Sequence, residues 1–283
     1  MTKSKAFIFL NIAVFLFGLA GVFGKIILLP AVIIVFGRVF FASVSLFFFA
    51  KINGQPLKID SIKDKMLMIL MGLILAFHWF TFFYAIQIST VTIGLLSFST
   101  FPVFVALLEP VFFKEKLKFI DVLLAMLLML GISLVIPEFD IKNNITQGVL
   151  CGMMSGFTFA VLTNLNRLVV KKYDGIQIAF YQDVVATVVL LPALYIVNIQ
   201  FSALDIFSLI LLGVLCTAIA HVLFISSMKV LKAKTVSLFG GLELVYGIIF
   251  GVLFFNDILE LRMALGACLI FVIVLFTMLR KNE

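Results

Sequence analysis

Long uninterrupted runs of apolar residues constrain this chain more than any other feature of its sequence. Of its 283 residues, 64% are hydrophobic and 12% are charged, whereas a soluble globular domain averages about 45–50% and about 25%. A chain with so few polar residues cannot cover a water-facing surface. The composition therefore excludes a cytosolic enzyme, a nucleic-acid-binding protein and a disordered regulator, and it predicts an integral membrane protein embedded in a lipid bilayer.

These runs divide into ten segments of about 20 residues, the length that a transmembrane helix needs, separated by charged residues, Pro, Gly and Asn. Runs of this length predict an all-α protein, because barrel strands have about 10 residues of alternating polarity. The longest connection, Lys51–Lys65, is too short for a soluble domain. Numbered in chain order, the predicted spans are Ala6–Leu28, Ala31–Ala50, Met66–Ile88, Val91–Phe113, Phe119–Ile136, Gln147–Val170, Ile176–Val197, Ile206–Met228, Thr235–Phe255 and Leu261–Leu279.

The basic residues predict how the spans are oriented. If the N-terminus lies in the cytoplasm and the chain crosses ten times, 17 of the 21 Lys and Arg residues fall on the cytoplasmic side. Three others, Lys25, Lys142 and Arg262, fall on the opposite side, and Arg38 falls within the bilayer. Cytoplasmic loops of membrane proteins are enriched in Lys and Arg. We therefore predict a multi-pass membrane protein with both termini in the cytoplasm.

The chain also contains an internal repeat. A shift of 142 residues aligns Phe112–Leu117 with Phe254–Leu259, and nearly the same offset pairs residues from the first span to the tenth. The sequence therefore predicts two halves, residues 1–141 and 142–283, with five spans in each.

Because five is an odd number, the second half is expected to cross the membrane in the opposite direction. The charges agree with this inversion, since the loop Lys114–Lys118 has three lysines and its counterpart, Asn256–Glu260, has none. Inverted repeats of this kind are typical of secondary transporters, which bind their substrate near the membrane midplane between two halves that rock to alternate access.

Each half contains a Phe-Phe-x-Glu/Asp-x-Leu turn that connects two apolar spans. The stretches that carry this pattern are Thr100–Leu117 and Glu243–Leu259. With two hydrophobic repeats built around such turns, the chain resembles the EamA family of the drug/metabolite transporter superfamily over nearly its whole length. That resemblance implies a ten-helix permease of the inner membrane, with a central cavity and with export or exchange of amino acids or other small metabolites, often linked to protons.

Three charged residues lie deep within the predicted spans, where a charge costs roughly 2.5–3.5 kcal/mol. Arg38 suits a substrate carboxylate or phosphate, which a guanidinium binds with two N–H groups. Asp183 suits a substrate amine or a coupling proton. Glu243 is the preferred residue for proton coupling, because desolvation favours the neutral form of a carboxyl group. Structural roles are the alternatives, an internal ion pair for Arg38 or Asp183 and a hydrogen bond to a neighbouring helix for Glu243.

Six further residues complete the predicted substrate site. Trp79 is the single Trp and lies away from the membrane interface where tryptophans usually lie, so Trp79 and His78 suit stacking on a ligand. Neighbours on a helix point about 100° apart, so we expect only one of these two to line the cavity fully; core packing is the alternative. The other four are Tyr181 and Gln182 beside Asp183, His221 in the eighth span, and Tyr246 one turn beyond Glu243.

No metal, cofactor or catalytic residue is expected. Cys151, Cys216 and Cys268 lie far apart within spans and suit apolar packing. The two histidines are 143 residues apart, and neither H-E-x-x-H, G-x-S-x-G nor a P-loop occurs. These features disfavour an intramembrane enzyme acting on a lipid-linked substrate.

The sequence thus predicts a secondary transporter of small metabolites, amino acids or related compounds, that works by alternating access as a monomer or a homodimer. Both proton coupling and uniport are compatible with the residues. A scaffold without transport activity is disfavoured, because it gives no reason for burying Arg38, Asp183 and Glu243 in the bilayer. The basic loops are dispersed along the cytoplasmic side, so no nucleic-acid partner is expected.

Overall fold

The computed structural model describes residues 1–113, 119–135, 140–197, 200–255 and 260–279. Within these ranges every regular element is a helix, and a π-helix at Val214–Ile219 joins α10 to α11. The α-helices are α1 (Lys3–Ile26), α2 (Ala31–Ile52), α3 (Ile62–Ile88), α4 (Val91–Phe98), α5 (Phe101–Phe113), α6 (Phe119–Val135), α7 (Asn144–Val169), α8 (Gly175–Leu190), α9 (Ala193–Ile196), α10 (Ala203–Gly213), α11 (Ala220–Ser227), α12 (Ala233–Gly240), α13 (Leu242–Phe255) and α14 (Leu261–Leu279).

Seven stretches of the described chain are long and apolar enough to cross a membrane, which supports the prediction of a multi-pass membrane protein. They coincide with the first four predicted spans and with the sixth, seventh and eighth. The remaining three predicted spans fall on α6, on α12 with α13, and on α14, and none of them is among the seven. The count of ten crossings therefore stays a prediction, and Ile136, the end of the fifth predicted span, lies outside the described residues.

The fourth predicted span consists of two helices rather than one. The chain breaks between α4 and α5, just ahead of Pro102, which has no backbone N–H to donate. The Ser99 hydroxyl donates to the Leu96 carbonyl at 2.7 Å, and the Thr100 hydroxyl donates to the Ser97 carbonyl at 2.8 Å. These bonds engage carbonyl groups at the break, as a nonpolar environment requires.

Exposed and buried side chains are distributed as expected for a protein surrounded by lipid. Large apolar side chains lie on the outside, for example Phe47, Phe48 and Phe49, which are 43%, 56% and 50% exposed. Polar side chains such as Asn164 and Gln182 are completely buried. Because lipid is as apolar as the helix surfaces, close packing and interhelical hydrogen bonds have to hold the helices together.

A stripe of glycines on α7 provides such close packing. A side chain added at Gly148 or Gly156 would lie 2.6 Å from the Ser89 hydroxyl or 2.8 Å from the Thr100 hydroxyl, respectively. One added at Gly152 would collide with the hydroxyl of Ser97. The stripe therefore brings the backbone of α7 close to the end of α3, to α4 and to the break that follows α4.

We expect Gly152→Val to destabilise the protein by about 1–3 kcal/mol, the usual penalty for overpacking a close contact. The valine methyl groups would push α4 away from α7 at Ser97. Thermal unfolding of the purified protein in detergent measures the effect as a lower Tm. Met154→Val is the control, because Met154 lies on the exposed side of the same helix, and an equal Tm for the two variants would contradict the proposed packing role.

Candidate functional site

Side chains from seven helices enclose a cavity inside the helical bundle. It has about 20 Å³ of water-accessible space, enough for about one water molecule. Its wall combines one cation, one acid, two imidazoles and five apolar aromatic rings. The lining residues are Phe17 and Ala20 on α1, Arg38 on α2, His78, Trp79 and Phe82 on α3, Phe98 on α4, Phe159 on α7, His221 on α11 and Glu243 on α13.

Arg38 is held in place by the π-helix and by an aromatic ring. Its Nε donates to the hydroxyl of Thr217 at 2.9 Å, and its Nη2 donates to the carbonyl of Cys216 at 3.2 Å. The guanidinium carbon lies 3.9 Å from the centre of the Trp79 ring, a cation–π contact. No acid forms an ion pair with Arg38 among the described residues, and Nη1 remains available to a ligand in the cavity.

Both residues that accept hydrogen bonds from Arg38, Thr217 and Cys216, lie in the widened turn of the π-helix. The Thr217 hydroxyl donates to the carbonyl of Leu212, five residues earlier, at 2.8 Å, and it accepts from Arg38. Short π-helical segments occur frequently at functional sites. This segment fixes a guanidinium on a neighbouring helix.

Glu243 brings the opposite charge to the same cavity. Its side chain is 5% exposed and has neither a hydrogen bond nor an ion pair in the described part of the chain. Tyr246, one turn further along α13, does not line the cavity. It packs against α1, where its ring meets the ring of Phe15 edge-to-face at 5.4 Å.

His78 and Trp79 both line the cavity, and the expectation that only one of them lines it fully stays a prediction. The His78 ring stacks on Phe159 with the ring centres 4.7 Å apart. Its Nδ1 lies 3.0 Å from the carbonyl of Ser155, to which the Nδ1–H tautomer donates. The Trp79 ring lies between Arg38 and His221, and its edge-to-face contact with His221 is 5.7 Å between ring centres. Side chains from several helices form the cavity wall, and His78 and Trp79 contribute to it from neighbouring positions on α3.

A second group of polar residues lies on α7, α8 and α11. Asp183 is completely buried, and its Oδ1 lies 4.0 Å from Nδ1 of His221. The amide of Gln182 donates to Oδ1 of Asn166 at 2.8 Å. Of these four residues only His221 lines the cavity, so the structure connects Asp183 to the cavity through His221. Tyr181 does not line the cavity; it is half-buried and packs edge-to-face on its neighbour Phe180.

Ion pairs and hydrogen bonds join the first turn of α3, the connection between α7 and α8, and the segment after α11 at one end of the bundle. We call this set, formed by Asp64, Lys172, Tyr173, Asp174 and Lys229, the polar latch. Lys172 forms an ion pair with Asp64, and the Tyr173 hydroxyl donates to the same carboxylate at 2.6 Å. Lys229 donates to Asp174 at 2.7 Å.

The latch changes the protonation equilibria of its members. The hydrogen bond to Asp64 raises the pKa of Lys172 and that of Tyr173. Although partial burial opposes it, the hydrogen bond from Lys229 helps to lower the pKa of Asp174. A lowered carboxyl pKa means that this pair persists at neutral and mildly acidic pH, and that it is lost only as the pH falls through that lowered value.

Comparisons with known proteins agree with this architecture. The model of the EamA-like transporter family matches residues 4–136 and 146–279. An uncharacterized transporter of Bacillus subtilis (strain 168), YxxF, is 26% identical and aligns with 99% of this chain and 91% of its own. The S-adenosylmethionine uptake transporter of Rickettsia conorii is 24% identical over 88% of this chain and 83% of its own. A crystal structure with 16% identity has a TM-score of 0.70 over 96% of both chains, so the fold is shared.

Proposed function

Because the chain belongs to the EamA-like transporter family, we propose that it moves small metabolites, amino acids or related compounds, across the inner membrane by alternating access. The residues that line the cavity support this class of substrate. Arg38 and Glu243 bring opposite charges to a single cavity whose remaining wall is largely aromatic. A zwitterion with an apolar or planar side chain complements all three components.

In this proposal each part of the substrate has its own partner. The carboxylate binds Nη1 of Arg38, whose Nε and Nη2 are already engaged by Thr217 and Cys216. The amine binds Glu243, which has no partner in the described residues. The side chain lies against the rings of Phe98 and Phe159. S-adenosylmethionine, the substrate in the name of one relative, also combines an amino-acid group with a planar ring system.

We propose ten crossings arranged as two inverted halves, residues 1–141 and 142–283, with both termini in the cytoplasm. The two separate stretches that match the family model support this division. The cavity wall also draws on both halves, α1 to α4 from the first and α7, α11 and α13 from the second. A site between two such halves is accessible to each side in turn when the halves rock.

The conformation described here corresponds to a closed state in this mechanism. About 20 Å³ of water-accessible space is too little for an amino acid, since ligand sites usually measure about 300–1,000 Å³. The polar latch closes one end by joining Asp64 of the first half to Lys172 of the second. Substrate entry from that end therefore requires the latch to open.

We propose that Glu243 also couples transport to protons, with substrate amine and proton competing for the same carboxylate. Its burial without a partner favours the neutral form when no substrate is bound. Asp183 is a second carboxyl group inside the bundle that is a candidate for proton binding. Uniport is the alternative.

Flux measurements on proteoliposomes test the proposal. The purified protein is reconstituted and supplied with a panel of labelled amino acids and related metabolites, S-adenosylmethionine among them, with and without a pH gradient. We expect at least one zwitterionic compound to exchange across the membrane faster than in protein-free vesicles. If no compound moves while the protein remains folded, the proposed function is wrong.

We expect Asp64→Asn to open the end of the bundle that the polar latch closes. The substitution removes the charge that attracts Lys172, so the open state becomes more populated. The measurement is the labelling rate of the buried Cys216 by N-ethylmaleimide, in a background in which Cys151 and Cys268 are Ser. We expect the rate to rise severalfold. Lys171→Gln is the control because Lys171 is exposed, and an equal rate in both variants contradicts the latch.

A further inference from the structure

Two titratable side chains lie inside the bundle with unsatisfied polar atoms. Both oxygens of Asp183 and both nitrogens of His221 have no hydrogen-bond partner within the described ranges, although the residues are 0% and 1% exposed. Leaving such groups unpaired costs about 1–3 kcal/mol each, and more when they are charged. Unpaired buried groups of this kind need an explanation, such as a catalytic role or a bound water.

The two residues are placed so that a proton can pass between them. Oδ1 of Asp183 and Nδ1 of His221 are 4.0 Å apart, too far for a direct hydrogen bond and close enough for a bridging water or a small shift to complete one. His221 also lines the cavity together with Glu243. The cavity has room for about one water molecule, which has polar partners there in Arg38, His221 and Glu243.

We propose that Asp183 and His221 form a proton relay that supplies Glu243 through water in the cavity. The proton of the Asp183 carboxyl group bonds to one imidazole nitrogen of His221. The proton on the other nitrogen passes to the water, and the water gives up one of its own to the Glu243 carboxylate. Each N–H or O–H bond that breaks is matched by one that forms. Asp183 is completely buried in this conformation, and it takes up its next proton when the rocking of the two halves admits water to it.

Besides Glu243, two further charged or titratable groups of the cavity wall lie near the pair, Arg38 and His78. The positive charge of Arg38 on α2 interacts with both Asp183 and His221. Arg38 does not transfer a proton itself, because a guanidinium keeps its proton in proteins. His78 on α3 also lines the cavity; its Nδ1 lies 2.8 Å from the hydroxyl and 3.0 Å from the carbonyl of Ser155, and it makes no ion pair with Asp183 among the described residues. The residues of the group on α7 are amides, which do not titrate. His221 is therefore the group that joins Asp183 to the cavity.

This relay rests on the proposed function, and its test separates the two. In proteoliposomes that contain a transported substrate, two rates are measured, uptake driven by a pH gradient and substrate exchange without a gradient. We expect Asp183→Asn and His221→Gln each to slow the driven uptake about tenfold or more, since positioned acid–base groups contribute about 10²–10⁴-fold to proton transfer. Exchange without a gradient should fall much less than the driven uptake, so the ratio of the two rates should drop. Asp183→Glu should restore part of the driven uptake.

Asn164→Ala is the matched control, because it alters a buried amide of α7 that carries no transferable proton, and it should leave the ratio of the two rates unchanged. The relay is wrong if either Asp183→Asn or His221→Gln keeps the driven uptake, or if driven uptake and exchange fall by the same factor. A wild-type protein that exchanges substrate but ignores the pH gradient also overturns the relay and leaves transport standing. If the wild type shows neither driven uptake nor exchange, the proposed function itself is wrong.

Discussion

Arg38→Lys is expected to lower substrate exchange at least about tenfold, although it keeps the positive charge. A lysine ammonium cannot hydrogen-bond Thr217 and Cys216 in the fork geometry of a guanidinium while presenting a further nitrogen to the substrate. A hydrogen bond to a charged group contributes about 1.5–3 kcal/mol, and each 1.4 kcal/mol corresponds to about a tenfold change. Initial rates of exchange in proteoliposomes measure the loss.

Two further variants make this result specific. Thr217→Val keeps the guanidinium and removes the acceptor for its Nε, so we expect a smaller loss than in Arg38→Lys. Lys142→Gln removes an exposed cation and should exchange substrate at the wild-type rate. Exchange by a folded Arg38→Lys variant at the wild-type rate would show that Arg38 has a structural role only.

Glu243→Gln is expected to abolish the effect of a pH gradient on uptake. The amide has nearly the same shape as the carboxyl group but cannot take up or release a proton. It can still accept a hydrogen bond from a substrate amine, so exchange without a gradient should continue at a reduced rate. The ratio of uptake with and without the gradient, measured in the same vesicles, should fall to one.

Glu260→Gln provides the matched control for this change. Glu260 is exposed and precedes α14, and its substitution should leave the ratio as in the wild type. If Glu243→Gln responds to the gradient as the wild type does, the coupling assignment to Glu243 is wrong. The relay through Asp183 and His221 would then also have no acceptor in the cavity.

The sequence was informative where a residue type is rare in a membrane span. Few charges occur inside the apolar runs, so Arg38 and Glu243 were recognisable before their positions were known, and both line the cavity. The same reasoning applied to the single Trp and to the two histidines, all three of which lie in its wall. Chain length and hydropathy were sufficient to locate the seven membrane-length helices.

The sequence was uninformative where the choice depends on which side of a helix faces inward. Helices in this chain are apolar all round, so no periodicity separates the cavity side from the lipid side. Phe17, Phe98 and Phe159 line the cavity but were indistinguishable among 34 phenylalanines. For the same reason the sequence alone does not tell whether Tyr181 and Tyr246 face the cavity; in this conformation they pack against Phe180 and Phe15, and their place in the substrate site stays a prediction.

Contacts between distant parts of the chain were the second limit. Nothing in the local sequence connects Asp64 with Lys172, which are 108 residues apart and meet only in the folded protein. The π-helix was equally hidden, because Val214–Ile219 has the composition of an ordinary apolar helix. Its role is visible only from the bonds that Thr217 and Cys216 make to Arg38.

The most direct test of the account is substrate exchange by the wild type and by an Arg38→Ala/Glu243→Gln double variant, each reconstituted at equal density. Thermal unfolding of both preparations establishes that they are folded. The account predicts that the wild type exchanges a zwitterionic metabolite and that the double variant does not. Equal exchange by the two proteins would contradict it, because the substrate would then cross without the charged groups of the cavity.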